Sequence, residues 1–396
     1  MPLTRRQFLT GAAAVGSAAA MGGCRSGSDT TGSRREGVPT TAPPSIMSTS
    51  ARASGPLVIV PLYGGNDALN TVVPVGDPAY ASLRGSLALN AADTHDIGEG
   101  FALHPSLSRL SALWRDDRAA VVHGVGFAGL DRSHFHCMDV WQAGSEGDHT
   151  TGWLGRWLDL TGSDPLDAVV VGRSLPLLAR GERRSAAVVP PGPFALPGDH
   201  ELRDLVANMV QADDRPPLLG AVAASTADLL AVVDRVGPVM AKTTAVDDLA
   251  AQLDTVATLI EAGLPTRVYN VALGGFDTHA GQAETHVGLL GQVDTALGDF
   301  LDRVDDVTVA VYSEFGRRVA PNASGGTDHG SGGTMLLAGH VRPGHHGEPP
   351  PLARLADGDL ATTTDFRAVL GGLLGGLLGT DPADVFDGGV QPLTLV

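Results

Sequence analysis

Five short segments of this 396-residue chain bring carboxylates, histidines and glycines together in ways that suit a bound cation. They are Gly64-Gly65-Asn66-Asp67, Asp131-Arg132-Ser133-His134-Phe135-His136, Gly274-Gly275-Phe276-Asp277-Thr278-His279, Ser313-Glu314-Phe315-Gly316-Arg317-Arg318 and Thr327-Asp328-His329-Gly330. Carboxylates that converge repel one another unless a cation neutralises them. A mixed Asp, Glu and His donor set without a thiolate suits zinc, manganese, magnesium or calcium. Glycines beside the acids permit sharp turns and close backbone approach.

Each segment also has a bland reading. Asp67 could be a turn aspartate, Asp277-Thr278-His279 a helix cap with an exposed imidazole, and Glu314 a plain ion-pair partner of Arg317 or Arg318. His134 and His136, two apart, are read as structural. His345 and His346, in a Pro/Gly loop, are read as solvated, and His95, His104, His123, His149, His200, His286 and His340 as structural or exposed. Cys137 reads as a small buried hydrophobe.

The elements that must position these segments are short apolar runs: Leu57–Leu62, Ala119–Val125, Ala168–Val171, Ala186–Val189, Arg267–Leu273, Val307–Tyr312 and Met335–Ala338. Helical patterns lie between them at Pro105–Asp117, Trp153–Leu160, Glu201–Ala212, Leu218–Val236, Val246–Ala262, Ala283–Val304 and Asp365–Leu378. In Ala283–Val304, the residues Val287, Leu290, Leu297, Phe300, Leu301 and Val304 are assigned to one face. Buried strands alternating with helices predict an α/β fold with a mainly parallel central sheet flanked by helices. Four of the five segments follow a predicted strand and the fifth precedes one, and in open α/β sheets ligands bind beyond the carboxyl ends of the strands.

Composition narrows the partners. With 27 basic residues against 44 acidic, the formal charge is −17, which argues against a nucleic acid as ligand. No apolar run is long enough to span a bilayer. Thr4-Arg5-Arg6-Gln7-Phe8-Leu9 ahead of a mild Ala/Gly/Val run reads as a twin-arginine export signal. Small residues before Cys24 resemble a lipoprotein cleavage box, so a lipid on Cys24 would be the one membrane attachment. The expected organisation is a signal at 1–24, a Ser/Thr/Gly/Pro-rich tether at 25–55 and a single domain at 56–396.

Together, Gly64-Gly65-Asn66-Asp67-Ala68-Leu69-Asn70-Thr71-Val72-Val73-Pro74, Arg132-Ser133-His134-Phe135, Asp277-Thr278-His279, Ser313-Glu314-Phe315-Gly316-Arg317 and Thr327-Asp328-His329-Gly330 resemble the bacterial exported family called domain of unknown function 1501. That family is grouped with the alkaline phosphatase/sulfatase superfamily, and the resemblance runs over nearly all of 56–380. It implies an alkaline-phosphatase-like core, one or two divalent ions and a hydroxyl nucleophile acting on phosphate or sulfate esters. Carried over, Asp277, His279 and His329 would hold one ion. Asp67 and Glu314, with Ser133 or Asp328, would hold a second, and Ser133 would be the nucleophile. Arg132 or Arg317 would hold the nonbridging oxygens. Superfamily members usually show Asp-His where this chain has Glu314-Phe315, so the second site is weaker. An alternative threading puts Asp328-His329 in that role and leaves Glu314 as an extra. The expected function is metal-dependent hydrolysis of a small ester. The alternative is a non-catalytic metal-binding component of the cell envelope.

Overall fold

The computed structural model describes residues 55–147, 149–196, 200–210, 216–241, 243 and 246–396. The export signal at 1–24, with Cys24, and the tether as far as residue 54 lie outside the described residues. Strands β1 (Leu57–Pro61), β5 (Ala119–Gly126), β6 (Ala168–Val171) and β9 (Thr308–Tyr312) are buried throughout, which is why they read as unbroken apolar runs. The remaining strands are β2 (Val72–Val73), β3 (His95–Gly98), β4 (Phe101–Leu103), β7 (Ala187–Val189), β8 (Val268–Asn270), β10 (Gly333–Gly339), β11 (Gly344–His346) and β12 (Thr364–Asp365).

Among the described residues, nine strands form one sheet in the order β11-β5-β10-β9-β1-β8-β6-β7, with β12 also on β5, and β2-β4-β3 form a small separate sheet. In the large sheet β1 lies parallel between β8 and β9, and only β10 runs antiparallel, to β5 and β9. This is the mixed α/β, mainly parallel architecture that the sequence predicts. The reversal of β10 matters for the site. The start of β10, rather than its end, lies at the carboxyl edge of its neighbours, so Asp328-His329 enter from the segment before it.

Alternate residues of β1 serve opposite faces. Val58 and Val60 join one apolar cluster, whereas Leu57 and Ile59 join the other. The helices are α1 (Ala68–Thr71), α2 (Ala79–Arg84), α3 (Ser108–Arg115), α4 (His134–Ala143), α5 (Trp153–Thr161), α6 (His200–Val210), α7 (Pro217–Met240), α8 (Leu249–Glu261), α9 (Gln282–Arg303) and α10 (Phe366–Leu373). The first face carries α8 and α9, through residues such as Leu253, Val256, Val293 and Leu297. The second carries α4, α5 and α10, through Trp141, Trp157 and Leu370.

Three sequence assignments change. The buried stripe of α9 runs through His286, Leu290, Val293, Leu297 and Phe300, while Val287 is exposed. One residue around an α-helix is about 100°, enough to take Val287 off the stripe. His345 and His346 belong to β11 and are half-buried. Helix α4 lies outside the helical patterns assigned from sequence, yet Ser133 caps its start and Gly144, in the left-handed region, closes its end.

Candidate metal centre

The site is built at the carboxyl edge, where β1, β9 and β5 release their chains and β10 begins. Gly64 and Gly65 follow β1 with φ of 119° and 73°. A side chain on Gly64 would strike the Asp277 backbone, and one on Gly65 the Phe315 ring. Both must be glycine for these segments to meet. Arg132 is also left-handed, with φ of 62°. Its carbonyl lies 2.8 Å from His329 Nδ1.

Three imidazoles surround Asp277 Oδ1. His279 Nε2 lies at 3.0 Å, His329 Nε2 at 3.1 Å and His134 Nε2 at 3.3 Å. On each ring the other nitrogen meets an oxygen acceptor. His134 Nδ1 lies 2.7 Å from Glu314 Oε1, His279 Nδ1 3.2 Å from Asp328 Oδ1, and His329 Nδ1 meets the Arg132 carbonyl. A carbonyl or an ionised carboxylate only accepts, and Asp277 Oδ1 is such an acceptor at each Nε2 as well, so the tautomer with its proton on Nδ1 is the one that a cation beside Asp277 would select. In that tautomer each Nε2 is a lone pair directed inward. The Nε2 atoms of His279 and His329 are 2.9 Å apart, and that of His134 is buried without a hydrogen-bond partner. His134, Asp277 and His329 offer donor atoms all within 4.8 Å of one another. Lone pairs and a carboxylate oxygen facing each other are mutually repulsive unless a cation lies between them. Ligating histidines are oriented through their second nitrogen in this way. The residues therefore fit a divalent ion.

Electrostatics hold Asp277 ionised. Burial would raise its carboxyl, but Arg317 and His329 outweigh that and keep it at about 2. Arg317 has no exposed side-chain surface. It donates to Asp277 Oδ1 at 2.7 Å and to the carbonyls of Phe276 and Thr327, each at 3.1 Å. Phe315 cannot ligate, but its ring lies 4.8 Å from that of His134 and 5.0 Å from that of His329, forming a wall beside them.

The structure thus brings together Asp277, His279 and His329 from the sequence-derived set. Glu314 and Asp328 are at hand in a different capacity. Glu314 is buried and accepts from His134, from the Gly64 N–H at 2.9 Å and from Ser313 at 2.8 Å. Asp328 is exposed and bonds His279 and Asn322. Each orients a histidine.

Asp67 lies elsewhere. It caps α1, forms an ion pair with Arg84 in which neither side chain is exposed, and accepts from Gln282. A buried carboxylate already neutralised by a guanidinium has no charge left to attract a second ion. Arg132 and Arg317 are likewise engaged, the former with Asp357 and Asp359 and the latter as described. Ser133 is half-buried at the start of α4, where its Oγ accepts from His136 N–H at a long 3.5 Å. It is adjacent in sequence to His134.

His134 is the residue that the sequence reading missed. Its signal was available: a Ser cap, ten residues with Cys137, Met138, Val140 and Trp141 buried, and a closing Gly144 specify a helix, whose first turn begins at His134.

Fold and cluster together define a mixed α/β protein with a candidate cation site of histidine and aspartate at the edge of its sheet. The chain belongs to the DUF1501 family, whose profile, described as protein of unknown function (DUF1501), matches residues 56–387. No curated protein sequence matches it. Solved structures to which it is similar include a protein in the alkaline phosphatase superfamily from Vibrio parahaemolyticus, with a TM-score of 0.37 and 11% identity over 84% of this chain and 69% of that one. Another is the lipoteichoic acid synthase LtaP from Listeria monocytogenes, with a TM-score of 0.38 and 8% identity over 84% and 74%. A third is the C-terminal periplasmic domain of EcEptC from Escherichia coli in complex with Zn, with a TM-score of 0.36 and 9% identity over 72% and 73%.

Proposed function

We propose that the protein is an exported, metal-dependent hydrolase of small phosphate or sulfate esters that uses one divalent ion. The observation that carries this reading is the convergence of three imidazole Nε2 atoms on Asp277 Oδ1. Asp277, His134 and His329 would hold the ion, with His279 beside them. When bound, it would supply Lewis acidity toward an ester oxygen and neutralise substrate charge.

The chain's own residues do the rest. Glu314, Asp328 and the Arg132 carbonyl would accept from the Nδ1 side and hold each Nε2 toward the ion. Arg317 holds Asp277 ionised and in place. Ser133 Oγ is the candidate nucleophile, and the start of α4, whose His136 N–H points to it, favours negative charge developing there. The count of one ion follows from Arg84, whose charge takes the place of a second cation beside Asp67. Export rests on the twin-arginine pattern, and a lipid on Cys24 would anchor the protein to a membrane. Among the described residues no helix is long and apolar enough to cross one.

One observation favours a non-catalytic metal-binding role in the cell envelope instead. Arg132 and Arg317 are both drawn to carboxylates and carbonyls of the chain, which competes with a role in holding the nonbridging oxygens. The test is elemental mass spectrometry after supplementation with zinc, manganese, magnesium and calcium, alongside hydrolysis of p-nitrophenyl phosphate and sulfate. Near one equivalent of metal, lost in Asp277→Ala, with turnover abolished but metal retained in Ser133→Ala, is the expected result. Metal without turnover on either ester supports the binding role. Absence of metal overturns both readings.

A further inference from the structure

A second feature lies apart from the histidine cluster. A pocket of about 420 Å³ opens between the small sheet and the start of β10. Leu69, Val72, Phe101 and Leu352 supply apolar walls, and His123 of β5 supplies a polar atom. That volume is in the range of small-molecule sites.

The chemistry of His123 follows from a chain of hydrogen bonds. His345 Nε2 lies 3.1 Å from the Ile97 carbonyl, and His345 Nδ1 lies 2.9 Å from His123 Nε2. A carbonyl only accepts, so His345 carries its proton on Nε2 and presents a lone pair at Nδ1. His123 must then donate from Nε2. Its Nδ1 is left as a lone pair for which the described residues provide no partner. The ring is 4% exposed, tilted against Phe101 at 4.6 Å between centroids and stacked on His345 at 5.1 Å, so it is fixed in this orientation. Burial pulls His123 down to about 4, with His345 adding to the effect, so the ring is uncharged near neutral pH.

The rest of the lining offers little to an anion. Pro349, Pro350 and Pro351 have no N–H to donate, and the acidic residues Asp77 and Glu99 belong to the lining. An unsatisfied acceptor on a mostly apolar surface is costly unless a donor meets it. We infer that this pocket binds a small neutral molecule with an apolar body and one hydroxyl or N–H group, which donates to His123 Nδ1. The inference is independent of the metal reading, since it uses none of the cluster's residues.

The experiment uses the full chain and three probes: phenol, toluene and benzoate. Affinities are measured by NMR titration, together with the 15N shift of His123 Nδ1. Phenol is expected to bind about 2–10-fold more tightly than toluene, the worth of one net hydrogen bond, and benzoate more weakly than either. The Nδ1 signal should move upfield with phenol and stay in place with toluene. His123→Phe keeps an aromatic ring in this place and removes the acceptor, so phenol should fall to the affinity of toluene. Leu352→Trp fills the pocket and should weaken phenol and toluene alike. Equal binding of phenol and toluene to the unaltered protein, an unmoved Nδ1 signal, tighter binding of benzoate or no binding of phenol would each overturn the inference. The Nδ1 measurement needs no variant, so a failure of His123→Phe to fold leaves the test intact.

Discussion

Replacing Asp67 by Asn separates a structural carboxylate from a metal ligand. Asp67 and Arg84 have no exposed side-chain surface. Arg84 also donates to Asn70 Oδ1 at 3.1 Å and to the carbonyls of Arg318 and Val319 at 2.9 and 2.8 Å. Burial alone pulls Arg84 down to about 9, so the guanidinium depends on a countercharge. Asp67→Asn leaves that cation buried against neutral acceptors, and Arg84→Gln leaves a buried anion. Breaking a buried pair from one side costs about 3–5 kcal/mol, against a typical total stability of about 5–15 kcal/mol. The double variant removes both charges, so its cost should fall short of the summed single costs by about 2–3 kcal/mol. Guanidinium unfolding of the four proteins measures this coupling, and elemental analysis of the same samples measures bound metal. The expected outcome is a large, coupled loss of stability with about one equivalent of metal retained per folded Asp67→Asn molecule. An additive cycle with single costs below about 1 kcal/mol would refute the reasoning. So would a stable Asp67→Asn protein that has lost metal, since Asp67 would then be a ligand.

Two further outcomes follow from the same geometry. Glu314→Gln removes the anion that orients His134 but leaves the ligands in place, so metal affinity should fall about 10–100-fold. Competition with a chelating dye measures this; an unchanged affinity would show that Glu314 does not act through His134, and complete loss would make it a ligand. Acid should destabilise the fold earlier than carboxylate protonation alone would. Burial pulls His104 and His123 to about 4 and His286 to about 3, below the 6.5 of a free imidazole. Below pH 6.5 the unfolded chain takes up protons that the folded chain refuses, so stability is full above that pH and falls toward pH 4. The slope is about 1.4 kcal/mol per pH unit for each histidine. Guanidinium midpoints at pH 7.5, 6 and 5 should decline in that order, and a flat series would contradict the burial of these rings.

The strands and the segments that follow them were legible because both rest on local signals. A strand buried on two faces must be an apolar run, and Gly64-Gly65 marks a turn wherever it falls. The sequence thus determined the α/β class and the mainly parallel sheet, while the grouping of Asp277, His279 and His329 was implied by the resemblance to the family. Partners across the chain were not legible. Asp67 and Glu314 look alike in one dimension, each an acid just beyond a strand. Only the fold puts Arg84, at the end of a short helix, against the first and His134 against the second. His134 itself depended on a local signal that was present in the chain, the cap-to-glycine frame of α4, but its direction depended on Glu314, 180 residues away. A side chain's charge partner is set by distance through space, and that distance is fixed by the packing of whole elements. Spacing along the chain identifies the groups able to bind a cation; tertiary structure decides which of them are already neutralised by a cationic side chain and which converge on one carboxylate oxygen.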